Sequence, residues 1–167
     1  ENGKSAKKLL MKTPVDGARL SSGFGMRKHP ILGYNVKHRG VDFAAPKGTP
    51  IYAAGDGIIE KKGWNGAYGK YIRIRHANNF KTAYAHLSKF NKTPGGRVKQ
   101  RQIIGYVGST GRSTGPHLHF EILKNNTRIN PQKLKLPSGR KLKDEELQRF
   151  IETKDTIYRK IDNLGVY

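Results

Sequence analysis

Turn-forming residues punctuate this chain at short, regular intervals, and that spacing limits it to a fold built of hairpins. Asp16-Gly17, Gly23, Gly33, Gly48, Asp56-Gly57, Asn65-Gly66, Asn78-Asn79, Pro94-Gly95-Gly96, Gly108 and Asn125-Asn126 separate short apolar runs. A spacing of about 8–12 residues leaves room for strands and little room for helices. The expected fold is therefore mainly β, a strongly twisted antiparallel sheet. Residues 1–13 are short, basic and weakly patterned, and read as a linker or the end of a preceding region. The texture changes once more after residue 135. Leu147, Phe150, Ile151, Ile157, Tyr158, Ile161 and Leu164 follow helical spacing. Asp144, Glu145 and Glu146 suit a helix N-terminus, and Gly165 suits a stop. The spacing predicts an amphipathic helix near 144–164, packed on the β domain or on a partner subunit.

Composition removes several classes. No apolar run approaches the ~18 residues of a membrane span. There is no cysteine, so disulfide scaffolds, thiol chemistry and Cys-ligated zinc are excluded. No signal peptide opens the chain, which implies a cytosolic protein or a mature, trimmed fragment. Residues 136–167 hold seven of the 33 basic residues and six of the 12 acidic ones. The remaining 26 basic and six acidic residues crowd onto residues 1–135. Such a surface attracts polyanions, whether nucleic acid, anionic lipid or an acidic wall polymer. No clustered aromatic platform accompanies the charge, so nucleic acid is not expected as a partner.

Three strand candidates carry polar residues worth following. In Tyr71–His76, Ile72, Ile74 and His76 share a face. In Phe80–His86, Phe80, Thr82, Tyr84 and His86 share a face. In His117–Leu123, His117, His119 and Glu121 point one way, while Leu118, Phe120 and Ile122 point the other and read as core. Without cysteine, a metal site must use His and carboxylate ligands. His38-Arg39-Gly40-Val41-Asp42 sets an imidazole and a carboxylate four residues apart across a glycine. His117-Leu118-His119 aims two rings the same way, after the flexible loop Gly108–Pro116. Either pattern alone is weak, since HxH pairs arise by chance and a lone carboxylate in a basic domain readily becomes a salt-bridge partner. Together they offer the parts of a catalytic zinc site, with three protein ligands and an open position for water. A further histidine that is not a ligand could take a proton or stabilise an oxyanion.

Four blocks, in order and spacing, extend this pattern. They are Ser22-Gly23-Phe24-Gly25-Met26-Arg27, His38-x-Gly40-x-Asp42, Tyr84-Ala85-His86-Leu87, and Gly111-x-Ser113-Thr114-Gly115-Pro116-His117-Leu118-His119-Phe120-Glu121. Over residues 14–135 the chain resembles the lysostaphin-type, or LytM-type, zinc metallopeptidases that cut the peptides of bacterial cell wall. The resemblance implies an open groove in a twisted antiparallel sheet with Zn2+ on its floor. It implies His38, Asp42 and His119 as zinc ligands, with His86 and His117 flanking the metal. One of that pair would act as general base or orient the water, and the other would stabilise the tetrahedral intermediate. Tyr84, on the face of His86, is a candidate hydrogen-bond donor to substrate, with simple packing as the alternative. Glu121 reads either as a carboxylate behind a ligand or as a cross-strand ion pair. Arg27 is a candidate clamp for a substrate carboxylate. His29 sits in a loop that could line the groove, and His76 reads as structural.

The same resemblance implies a substrate. Wall stem peptides carry carboxylates, which suit a basic groove. The block Phe24–Gly33 looks like that of enzymes cutting D-alanyl–meso-diaminopimelate crosslinks rather than glycine bridges. That places the expected site of action in the periplasm or cell envelope. The alternatives are a glycine-bridge endopeptidase and a non-catalytic wall-binding or amidase-activating module of the same fold. The intact His/Asp set argues against the second. A groove-covering inhibitory region or a regulatory partner, if either exists, is expected outside these 167 residues.

Overall fold

A computed structural model describes residues 8–28, 35–91, 93, 96–135 and 143–163. His29, Gly33, the Pro94-Gly95 turn, Leu164 and Gly165 lie outside these residues, as does the side chain of Arg27. The chain divides into two compact units. One spans Leu10–Lys135, and the other comprises the two chain ends.

The larger unit is antiparallel β throughout, as the turn spacing predicts. Its strands are β1 (Arg19–Ser22), β2 (Gly25–Lys28), β3 (Asn35–His38), β4 (Val41–Ala44), β5 (Pro50–Tyr52), β6 (Gly57–Trp64), β7 (Lys70–Arg75), β8 (Phe80–Leu87), β9 (Lys89–Phe90), β10 (Arg97–Val98), β11 (Ile103–Tyr106), β12 (His117–Lys124) and β13 (Thr127–Ile129). The main sheet runs β1-β4-β12-β8-β7-β6-β10, with β13 added to β12. A three-stranded sheet, β5-β11-β9, and the hairpin β2-β3 complete the unit. The sheet does not close into a barrel.

Register decides which face of the main sheet is core. Phe43 lies opposite Leu118, and Val41 opposite Phe120. Phe120 in turn faces Tyr84, and Ile122 faces Thr82. Tyr84 and Thr82 face Ile72 and Ile74 on β7. All nine side chains are buried. Because side chains alternate along a strand, the next residues point to the opposite face. These are Asp42, His119, Glu121, Ala83 and Ala85. One face thus holds the apolar layer, each large side chain contributing about 1.5–3 kcal/mol of burial. The other is left for polar groups.

Polar atoms inside the apolar layer are joined in one directional chain. The Ala54 amide donates to the Tyr84 hydroxyl at 2.8 Å. Tyr84 donates to Thr82 Oγ1 at 2.9 Å, and Thr82 donates to His76 Nε2 at 2.7 Å. His76 Nδ1–H closes the chain on the Asp56 carbonyl at 2.8 Å. His76 is therefore structural, with both ring nitrogens committed. Burial lowers its pKa, outweighing the bond to Asp56. A buried imidazole that must stay neutral stabilises the fold fully above the unfolded-state value of 6.5, and that stability is lost as pH falls below it.

The smaller unit contains one helix, α1 (Asp144–Asn163), with three acidic residues in its first turn and Lys160 in its last. These charges complement the helix dipole. Phe150, Ile151, Ile157, Tyr158 and Ile161 on α1 are exposed.

Urea unfolding across a pH series checks the buried chain. Tyr84→Phe orphans the Ala54 amide and is expected to cost about 1–3 kcal/mol at neutral pH. The unsubstituted protein is expected to lose stability as pH falls below about 6.5. A Tyr84→Phe midpoint equal to the original would contradict this account.

Candidate metal centre

β4 and β12 bring the acidic and histidine motifs together by simple pairing, with His119 directly opposite Asp42. His38 arrives from the end of β3, whose hairpin partner Gly25 lies opposite it. Between His38 and Asp42 the chain crosses close above β12. A Cβ on Gly40 would sit 2.5 Å from the Phe120 carbonyl oxygen and 2.8 Å from His119 Cε1. Only glycine fits this crossing, which is what the small central residue of the His38–Asp42 motif provides.

Three Lewis-basic atoms converge as a result. His38 Nε2 lies 3.1 Å from His119 Nδ1 and 3.2 Å from Asp42 Oδ1. His119 Nδ1 lies 2.8 Å from Asp42 Oδ1. Among the described residues these three form a group able to hold a metal ion. A tetrahedral cation with bonds of about 2.0–2.1 Å sets its ligands about 3.3 Å apart, so the donor set fits a small ion with little adjustment. All three residues are buried.

Hydrogen bonds choose which ring nitrogen faces the cluster. His38 Nδ1–H donates to the Gly23 carbonyl at 2.6 Å, leaving Nε2 for the site. His119 is reversed: Nε2–H donates to Glu121 Oε1 at 3.2 Å, leaving Nδ1 for the site. Burial alone would raise the Asp42 pKa. The imidazoles of His119 and His38 beside it outweigh that, and the carboxyl is held well below the usual carboxylate range. Burial disfavours the cationic form of His119. The carboxylates of Asp42 and Glu121 on either side of the ring outweigh that, and its pKa is raised.

The other two histidines stand beside this cluster. His86 and His117 have ring centroids 4.8 Å apart, and His86 lies 6.1 Å from His119. His86 Nδ1–H donates to the Thr110 carbonyl at 2.8 Å. His117 Nδ1–H donates to the Gly115 carbonyl at 2.8 Å, and its Nε2 lies 3.9 Å from Asp42 Oδ1. Burial, with the neighbouring His117 and His119, pushes the His86 pKa down to about 4.

Strict alternation along β8 fails at this point. It puts His86 on the face of Tyr84, yet the two side chains part company. His86 has a φ of +62°, a left-handed conformation that costs a non-glycine residue about 1–3 kcal/mol and is concentrated at functional sites. The twist delivers His86 to the polar face. Tyr84 stays in the apolar layer with zero exposure and its hydroxyl committed to Thr82 and Ala54. The expectation that Tyr84 contacts substrate is therefore corrected, because a fully buried ring presents no atom to a ligand.

Residues not singled out by motif complete the surroundings. Tyr68, in the 3₁₀ turn Gly66–Tyr68, donates to Glu121 Oε1 at 2.7 Å, and Arg128 Nε donates to Oε2 at 2.8 Å. The second contact has a sequence signal. A hairpin turning at Asn125-Asn126 sets Arg128 opposite Leu123, diagonal to Glu121 on the same face. Tyr68 has no comparable signal, since it sits between glycines in an aperiodic turn. Its loop is pinned to the loop bearing Thr110: a Cβ on Gly69 would lie 2.5 Å from Thr110 Oγ1. Thr110 Oγ1 also accepts the Lys70 amide at 3.0 Å and donates to the Leu87 carbonyl at 2.8 Å.

Residues 36–131 match the model described as Peptidase family M23. The chain belongs to this family. The chain is 46% identical over 152 residues to the peptidoglycan DD-endopeptidase ShyC of Vibrio cholerae, covering 90% of this chain and 35% of that protein. It is 51% identical over 125 residues to the DD-carboxypeptidase/endopeptidase Mpg of Neisseria meningitidis, covering 75% and 29%. The chain thus spans about a third of the length of the curated relatives it matches. Among solved structures it is similar to a zinc-containing peptidase from Vibrio cholerae, with a TM-score of 0.72 and 42% identity, covering 78% of this chain and 41% of that one. The catalytic domain of the antimicrobial peptidase lysostaphin from Staphylococcus simulans gives 0.62 and 37%, covering 70% and 91%. M23 peptidases are metallopeptidases, and the convergent His38, Asp42 and His119 are where this M23 domain offers metal ligands.

Gly40→Ala tests the close crossing above β12. It is expected to cost about 1–3 kcal/mol and to shrink the rise in unfolding temperature expected from an added divalent metal ion. Unchanged unfolding temperatures with and without the metal would contradict this.

Proposed function

We propose that this M23 domain is a zinc-dependent endopeptidase that hydrolyses peptide crosslinks of bacterial peptidoglycan, at D-alanyl–meso-diaminopimelate bonds. The observation that carries the proposal is the convergence of His38 Nε2, Asp42 Oδ1 and His119 Nδ1 within 4.8 Å of one another, beside two histidines that are not needed as ligands. Relatives named as peptidoglycan DD-endopeptidases support the choice of bond. The same names support action in the cell envelope, which for diaminopimelate crosslinks is the periplasm. The excess of cations in residues 1–135 suits stem peptides that carry free carboxylates.

In this reading His38, Asp42 and His119 hold the ion, and residues 14–135 form the metallopeptidase domain. A zinc ion bound there supplies a Lewis acid and lowers the pKa of water at its open position. His86 is neutral at physiological pH, with its proton fixed on Nδ1 by the Thr110 carbonyl. Its Nε2 is therefore a proton acceptor facing the cluster. We assign it the task of orienting the attacking water and taking its proton. His117, beside it and anchored through Nδ1–H to Gly115, has Nε2 3.9 Å from Asp42 Oδ1. When protonated there it donates to the developing oxyanion and then to the departing amine. Each ring is anchored by a backbone carbonyl, Thr110 for His86 and Gly115 for His117, with Ser113 Oγ a further 3.3 Å from His117 Nδ1.

Digestion of diaminopimelate-type peptidoglycan, resolved by mass spectrometry, tests the proposal. The unsubstituted chain is expected to convert crosslinked dimers to monomers with a mass gain of one water. His117→Ala is expected to retain zinc and lose about 10²–10⁴-fold in rate. No change in the crosslinked species with zinc-loaded protein would overturn the assignment.

A further inference from the structure

Glu121 is the most deeply buried charged side chain in the described structure, at 1% exposure, and the mechanism above makes no use of it. Burying a carboxylate costs several kcal/mol unless hydrogen bonds offset it. Here both oxygens are bonded, by three donors in all. Oε1 accepts from His119 Nε2–H at 3.2 Å and from the Tyr68 hydroxyl at 2.7 Å. Oε2 accepts from Arg128 Nε at 2.8 Å. The Tyr68 ring also lies 5.6 Å from the His119 ring, so the side chain that holds Glu121 packs beside the ring Glu121 holds.

Which nitrogen of His119 faces the cluster depends on this arrangement. His38 uses Nε2, with Nδ1 bonded to backbone. His119 must use Nδ1, and among the described residues no backbone carbonyl is bonded to its Nε2. We propose, resting on the metal-site reading above, that Glu121 is a positioning residue: by accepting from His119 Nε2–H it fixes the tautomer and ring orientation that present Nδ1 to the metal, while Tyr68 and Arg128 hold its carboxylate in place. A positioning role requires an acceptor at this distance. A purely electrostatic role, as partner of the Arg128 cation, requires a negative charge instead.

Two substitutions separate the requirements because their effects cross. Glu121→Gln removes the charge but keeps a carbonyl oxygen in reach of His119 Nε2–H. Arg128, a third exposed, can then swing to solvent. Glu121→Asp keeps the charge but draws the acceptor back by about one C–C bond, ~1.5 Å, beyond hydrogen-bond range of His119.

The measurement is zinc affinity by competition with a chromophoric chelator at neutral pH, on proteins first shown by circular dichroism to be folded. The expected result is Glu121→Gln within a few-fold of the unsubstituted protein, and Glu121→Asp weaker by about 10- to 100-fold. The reverse order, or both variants within two-fold of the original, would overturn the positioning role. If Glu121→Asp fails to fold, Glu121→Gln decides alone, and a loss of ~10-fold or more there would overturn it. An unsubstituted protein that takes up no zinc would overturn the metal-site reading, and the positioning role with it.

Discussion

The site depends on one pairing, His119 on β12 directly against Asp42 on β4. An antiparallel register brings the two side chains onto one face at close range, and a one-residue slip of β12 would turn His119 into the apolar layer, away from Asp42. Phe43, Val41, Leu118 and Phe120 oppose such a slip, because moving them outward would expose their burial to water. The hydrophobic layer and the polar cluster are thus two faces of the same register, and the energy that forms the first also assembles the second. His38 joins them by the close crossing that Gly40 permits.

Much of this was legible in the residues. Alternation in His117–Leu123 separated the core side chains Leu118, Phe120 and Ile122 from His119 and Glu121, and the structure keeps that division. The helical spacing near 144–164 matches α1, Asp144–Asn163. The His38–Asp42 motif suggested two ligands across a glycine, and the three candidate ligands do meet. What pattern could not supply was His86. Period-two alternation puts it with Tyr84, and a left-handed φ at the next-to-last residue of β8 moves it to the polar face. Histidine's modest preference for that conformation is too weak to mark the position in the sequence. The strain is held by neighbours distant in sequence, above all the Thr110 carbonyl. Tyr84 stays in the apolar layer, in the buried chain with Thr82 and His76.

Glu121 shows why a carboxylate's role needs the three-dimensional context. Sequence left it between an ion pair and a carboxylate behind a ligand. The structure has it bonded at once to His119 and to Arg128, so the two readings were never exclusive. Tyr68 enters from an aperiodic turn whose position depends on the loop around Thr110, and no local rule links the two. Backbone carbonyls do similar work elsewhere: Gly23, Thr110 and Gly115 each fix a histidine tautomer. Such contacts carry no residue signature at all, yet they decide which ring nitrogens are free to ligate or to move a proton.

As proposed, His38 Nε2, Asp42 Oδ1 and His119 Nδ1 would together bind a zinc ion and leave it an open position. X-ray absorption at the zinc edge of the loaded protein, compared with His119→Ala, tests it most directly. The account predicts one zinc per chain, with two imidazole nitrogens and one carboxylate oxygen at about 2.0–2.2 Å plus an exchangeable water, and loss of an imidazole shell or of the ion itself in the variant. A shell of three or more imidazoles, or an unaltered spectrum in His119→Ala, would contradict it.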